Sequence, residues 1–573
     1  MTINMRRKKI RITTGKALMF LFFAWFILAC LVLPNLNLLK TVFFADGNFS
    51  TEPIRKLLKS KRAMKALRNS FILAPTLSIT VGFVGITLVL LTEYFDIKGA
   101  NILRLGYMTT LIYGGITLVS GYKFIYGSSG FLTKLLVQVF PNMNASWFQG
   151  YGAVLFVMTF SCTSNHMIFL RNAMRSVDFQ TVEAARNMGA GQFYILRRVV
   201  LPVLLPSLFA VTILTFITGL SAMSAPMLVG GTEFQTINPM IKTFADTVSS
   251  KDLAALLSLV LGFATMLLLF IMTQIEKRGH YMSVSKVKTK IVKQKITNPV
   301  LNVLAHVYAY VLFVIYVLPV VLIVLFSFTD SKSIGTRTLT LSSFTLENYK
   351  YLLQSLSNYR PFVVSIVYSA LAAVIVGVIV VLACRYIQKH KKARSASVLE
   401  YSLMIPWLLP TTMIALGLMM AFNVRRPYMF NQVLTGTMVI LLIGYVIIKL
   451  PFTMRMTKAA FFSLDDALED ASKNLGAGEM YTFRRVIFPV ILPTVMAIAA
   501  LNFNALISDY DMSAFLYHPL NPTLGVQIKS LTNDMNNPNG MALTFVYAVL
   551  MMIISAVVLY LVYGRGGRDN MKE

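Results

Sequence analysis

Twelve apolar runs decide most of what this chain can become: near 17–37, 71–93, 101–124, 149–170, 203–225, 253–274, 304–328, 361–386, 399–422, 433–453, 490–512 and 541–563. A helix needs about 20 such residues to cross a ~30 Å hydrocarbon core. No water reaches backbone N–H and C=O groups there, so a spanning segment must satisfy them internally, as a helix or a closed barrel. Runs this long and evenly apolar predict helices. A mean hydropathy of +0.67, with 56% hydrophobic and 13% charged residues, excludes an ordinary soluble domain. The expected fold is an all-α polytopic membrane protein with 12 transmembrane helices.

The net charge of +30 would suggest nucleic acid in a soluble chain, but its placement argues otherwise. Met1–Lys16 carries six basic residues, and Lys277 to Lys295 carries seven. With an even number of spans and an inside N-terminus, both fall on the cytoplasmic side, as the positive-inside rule expects. The anionic inner leaflet of the lipid bilayer accounts for them, and no nucleic-acid partner is expected. Both termini are therefore expected in the cytoplasm. One stretch runs against the rule: Arg55 to Arg68 carries seven basic residues and falls outside. An amphipathic helix at the outer interface would accommodate it.

Within this frame a thirty-odd-residue stretch occurs twice, 287 residues apart. Gly189 pairs with Gly476, Arg198 with Arg485, Pro202 with Pro489 and Pro206 with Pro493. The offset is about half of the 573 residues, so the chain divides into two homologous six-helix halves. Residues 1–274 make the first (core about 65–275), 275–300 a basic linker, and 301–573 the second (core about 360–563). Each copy of the repeat reads as a polar helix, a glycine break, then a new helix opened by proline.

These copies resemble the loop of permease subunits in binding-protein-dependent ABC importers. Glu183-Ala184-Ala185, Gly189, Val199 and Leu201-Pro202 follow the family's Glu-Ala-Ala pattern, with Val for Ile. The second copy, Asp470-Ala471-Ser472, Gly476, Val486 and Phe488-Pro489, departs further. The resemblance implies the type I importer permease fold, with both loops acting as coupling helices. It also implies two ATPase subunits on the cytoplasmic side, an external substrate-binding protein and a bacterial inner membrane. Double-length permeases of this kind resemble iron(III) importers most closely, with thiamine, polyamine and phosphonate importers behind. Glu347-Asn348-Tyr349 and Gly230-Gly231 followed by Phe234-Gln235-Thr236 look like that iron-type group.

No Gly-x-x-x-x-Gly-Lys-Ser/Thr occurs, so ATP hydrolysis is expected on a separate subunit, and the chain is expected to be no enzyme. Five scattered histidines offer no metal-ligand spacing, Cys162 and His166 share a helix face without making a site, and no cofactor is expected. For the translocation pathway the eleventh run is unusually polar, with Asn502, Asn504, Ser508, Asp509 and Asp511 as candidates. At helical spacing Asn504, Ser508 and Asp511 would share one face. Interhelical hydrogen bonding is the competing reading. A twelve-span, two-half chain also fits an ion-coupled secondary transporter, which predicts mid-membrane acids and no docking loop.

Overall fold

The computed structural model describes residues 14–44, 47–174, 177–278, 293–336, 339–391, 393–534 and 538–566. The basic tail 1–13 and most of the linker lie outside the described residues. Ten helices are long and apolar enough to span a membrane: Leu21–Phe43, Lys61–Tyr94, Tyr151–Met174, Gln192–Leu220, Val248–Ile271, Pro299–Ser327, Leu356–Lys389, Met438–Phe462, Glu479–Ile507 and Pro538–Leu561. The third and ninth expected spans are each broken. Ala100–Leu111 meets Gly115–Val139 at 112°, and Arg394–Trp407 meets Thr411–Ala421 at 101°. The breaks fall at Gly114-Gly115 and at Pro410, residues that leave or restrict the helical backbone. Counting each bent pair as one span gives twelve, and we number them so.

The halves interlock. Span one, from the first half, packs its Leu33–Phe43 segment on Thr411–Ala421 of broken span nine. Trp25 Nε1 donates to the Tyr428 carbonyl at 2.8 Å and Arg426 reaches Asn37 at 3.5 Å. Span seven, from the second half, lies against broken span three. There the Tyr107 hydroxyl donates to the Ala309 carbonyl at 2.7 Å and Tyr122 to Ile315 at 3.3 Å. A Cβ on Gly106 would meet the Phe313 ring at 2.2 Å, so this crossing requires glycine. Each half thus holds the other with its own first span.

The basic stretch Arg55 to Arg68 is split between two helices rather than forming one. Glu52–Lys59 is a short helix with Leu57 buried, and Lys61–Arg68 is the first part of span two, which starts ten residues earlier than its apolar run. Lys56 is shared between Glu52 and Asp252, both at 3.3 Å, and Lys65 reaches Glu233 at 3.0 Å. Such solvent-exposed pairs orient the segment more than they hold it. Glu347–Gln354 is the counterpart before span eight. Asn348 anchors it, donating to the Ser327 and Thr329 carbonyls at 3.0 and 2.7 Å.

Spans five and eleven also begin earlier than expected. Pro202 and Pro489 do not open new helices; each lies inside a continuous helix, just after a π-turn at Leu196–Val200 or Phe483–Ile487. The wider turn absorbs the N–H that proline lacks. The break between the two helices sits at Gly189 and Gly476, as expected, and the new helix starts soon after it rather than at the prolines.

Sidedness is testable directly. Cysteines introduced at Ser285 and Asn144 are expected to label from opposite sides of the membrane. Equal labelling from outside contradicts the orientation.

Candidate functional site

The two repeat loops fold alike. In the first, the Asp178 carboxylate accepts from the Gln180 N–H at 2.9 Å and caps helix Phe179–Asn187. In the second, Asp465 accepts from Ala467 N–H at 2.9 Å and caps Asp466–Asn474. Both helices close the same way. Gly189 donates to the Arg186 carbonyl at 2.9 Å and Ala190 to Ala185 at 3.0 Å; Gly476 donates to Lys473 at 2.9 Å and Ala477 to Ser472 at 3.1 Å. This paired closure needs a left-handed residue after the helix, and Gly189 and Gly476 supply it at φ +83° and +80°. No atom lies within 4 Å of a Cβ placed on either, so conformation rather than crowding selects glycine.

The motif residues divide by face. Glu183 and Ala184, like Asp470 and Ala471, are exposed, whereas Ala185 and Ser472 pack inward. Ser472 shares a hydrogen bond of 2.9 Å with Thr482 beneath the loop. Around the helices stand large exposed apolar side chains in matched pairs: Met188 with Leu475, Phe193 with Met480, and Tyr194 with Tyr481. Met188 is 81% and Leu475 88% exposed, at the same offset of 287. The two loops thus carry matched rims of exposed apolar side chains.

The loops are tied down differently. Arg186 of the first binds the Gln294 side chain, Gln192 donates to the Lys295 carbonyl at 2.5 Å, and Gln294 itself pairs with Tyr94 and Asp96 backbone at 2.8 and 3.0 Å. The linker's last residues therefore brace the first loop. The second loop is held by Arg385 of span eight, whose guanidinium donates to both Glu469 oxygens at 2.8 and 3.1 Å. These hydrogen bonds hold the Glu469 carboxyl below its usual range. A carboxylate so held contributes stability above its unfolded pKa and loses it as pH falls through the lower folded value. The tie is thus intact near neutrality and fails only in acid.

Asn504, Ser508 and Asp511, expected on one helix face, do not share one. The eleventh helix ends at Ile507, so Ser508 to Asp511 lie in the turn beyond it and Asp511 does not continue the face of Asn504. Asn502 is buried and donates to Thr453 of span ten at 2.7 Å; Asn504 donates to the Ser555 carbonyl of span twelve at 3.3 Å. The Ser508 backbone abuts Gly115 at the bend of span three. Asp509 accepts from the Ser513 N–H at 3.0 Å, with Tyr445 and Lys449 beside it. Asp511 crosses between halves: Ser224 donates to it at 3.4 Å. Ser224 and Asp511 are themselves 287 residues apart, so equivalent positions of the repeat meet there. Next to them the Tyr510 hydroxyl reaches Met227 Sδ at 2.9 Å. These contacts place the pseudo-two-fold seam at the ends of spans five and eleven, away from the repeat loops.

For a cargo that passes as a cation, Asp511→Asn is expected to weaken uptake by about tenfold or less, because a charge at ~4 Å is worth only ~1–4 kcal/mol between watery and half-buried surroundings. Asp511→Glu is expected to retain it. Unchanged uptake in the Asn variant removes this acid from the pathway.

Interlocked six-span halves with matched apolar-rimmed loops at one end define a multi-pass membrane protein with internal two-fold repetition. More than half of the chain, residues 58–278 and 373–564, matches the family described as binding-protein-dependent transport system inner membrane component, and the chain belongs to that family. It is an integral, multi-pass ABC permease of binding-protein-dependent import, and membership implies an ATPase and a substrate-binding protein as partners. It is similar to the probable ABC transporter permease protein y4fN of Sinorhizobium fredii, 38% identical over 94% of each chain. It is also similar to the ferric transport system permease protein FbpB of Actinobacillus pleuropneumoniae, 22% identical over 92% of this chain and 75% of that one. A protein of Salmonella typhimurium named as a 2-aminoethylphosphonate transport system permease, PhnV, is 27% identical over 26% of this chain and 55% of its own. Membership sets aside the ion-coupled reading.

Proposed function

We propose that this one chain forms the whole transmembrane pathway of an ATP-driven importer in a bacterial inner membrane. One copy of an ATPase seats under each coupling helix, and a loaded binding protein docks at the far end. Closure of the ATPase pair draws the two helices together, and the interlocked halves turn that movement into outward opening along the Ser224–Asp511 seam. Hydrolysis on the ATPase then resets the inward-facing state. The observation that carries this reading is the identical capping and closure of the two loops, with matched exposed side chains around each.

For the cargo we propose ferric iron, supported by the similarity to FbpB across 92% of the chain. A phosphonate is the second reading, supported by the shorter match to PhnV. Uptake of radiolabelled ferric iron and of 2-aminoethylphosphonate, compared in cells with and without this chain, decides between them. Iron uptake lost on deletion and restored by the intact chain is the expected result. Iron uptake unaffected by deletion contradicts it.

A further inference from the structure

At the end of the bundle opposite the coupling helices, a cavity of about 430 Å³ opens between the halves. Its walls come from helices Ile237–Ala245 and Leu524–Asn533, and they repeat at the offset that relates the halves. Lys242 and Lys529, Thr243 and Ser530, and Asp246 and Asn533 all line it, each pair 287 residues apart. Tyr510 and Met227, in contact across the seam, line the same cavity beside the Ser224–Asp511 contact.

The two lysines are not equally compensated. Lys242 is paired with Asp246 and lies 5.7 Å from the Phe515 ring centre. Lys529 has no ion pair among the described residues, and Lys123 is near enough for the two ammonium charges to repel. The acids within electrostatic reach of Tyr510 are Asp246 and Asp511, and Asp246 is already engaged. An ammonium without a counter-charge, as at Lys529, favours an anion beside it. The Thr243 hydroxyl already donates to the Pro239 carbonyl at 2.9 Å, so at this level the Ser530 hydroxyl supplies the donor.

We propose that this cavity is an anion site on the pseudo-two-fold axis, taking the negatively charged oxygen groups of the cargo as it leaves the binding protein. This rests on the importer reading and narrows its cargo. Ferric iron would enter as a chelate whose carboxylates carry net negative charge, and a phosphonate would enter by its own oxygens. The uncompensated Lys529 disfavours a bare cation. At about 30 Å³ per water in liquid, the space holds such a group with several waters, so recognition is by charge more than by shape.

The test uses the full-length chain in lipid nanodiscs, titrated calorimetrically with ferric citrate, with 2-aminoethylphosphonate and with inorganic phosphate. Binding of at least one probe is expected, weakened about tenfold or more by Lys242→Met with Lys529→Met, as for a lost charged hydrogen bond. The paired Arg substitutions are expected to keep it. Ferric citrate alone binding points to a chelate; the phosphorus probes alone binding point to a phosphonate. No binding of any probe at millimolar concentration, or equal binding by the double Met variant, overturns the site. Stimulation of ATP hydrolysis by the binding protein, measured on the unmodified complex, tests the importer reading separately, because the titration needs neither partner.

Discussion

Valine at Gly189 or Gly476 is expected to cut uptake about tenfold or more, with the chain still inserted in the membrane. Each glycine sits at a left-handed φ that costs an ordinary residue ~1–2 kcal/mol and a β-branched one more. Relaxing that strain gives up the two closing hydrogen bonds, at ~1 kcal/mol each. It also swings the exposed neighbours Met188 or Leu475 out of register with Phe193 or Met480. The spans do not depend on this turn, so ATP hydrolysis should continue without driving uptake. Because the closure is the same in both loops, the strain term is the same. The better motif match of the first loop makes Gly189→Val at least as damaging as Gly476→Val. Normal uptake in both variants removes the loops from the coupling path.

Arg385→Met is expected to release the second coupling helix and to spare the first. The Arg385–Glu469 pair is bidentate and largely shielded, with side chains 12% and 18% exposed. Removing one member leaves Glu469 with Lys473 at 3.3 Å as its remaining ion-pair partner, a contact that is half open to water. A fully buried pair broken this way costs ~3–5 kcal/mol, and partial exposure lowers that to an expected ~1–3 kcal/mol. The readout is cross-linking of the ATPase to cysteines at Tyr481 and, as control, Tyr194. Cross-linking at Tyr481 should fall and that at Tyr194 should hold. Glu469→Gln should behave like Arg385→Met, and exchanging the two residues should restore part of the loss. Equal cross-linking at both sites in all variants shows the pair to be dispensable.

Much of this architecture is written in the chain. Apolar length located the ten spanning helices and both bent pairs, and one offset located both repeat loops, down to Gly189 and Gly476. The bends in spans three and nine were hidden, because hydropathy is the same on either side of Gly114-Gly115 and Pro410 whatever the angle between the helices. Pro202 and Pro489 read as helix starts since a π-turn leaves no mark in composition. Asn504, Ser508 and Asp511 looked like one face only while the helix was assumed to continue past Ile507. Asn502 and Asn504 each have a hydrogen-bond partner on a neighbouring span, which periodicity along a single helix cannot reveal. The Lys242–Lys529 pair lay outside every apolar run. Checking all charged residues at the repeat offset would have found it, because 242 and 529 differ by the same 287 as the glycines.

The central claim is that one copy of this 64.0 kDa chain supplies both halves of the pathway and both ATPase seats. The native mass of the detergent-extracted complex tests it most directly. The mass expected is one permease chain with two copies of a single ATPase. Two permease chains in the complex, or one chain carrying a single ATPase, would contradict the account.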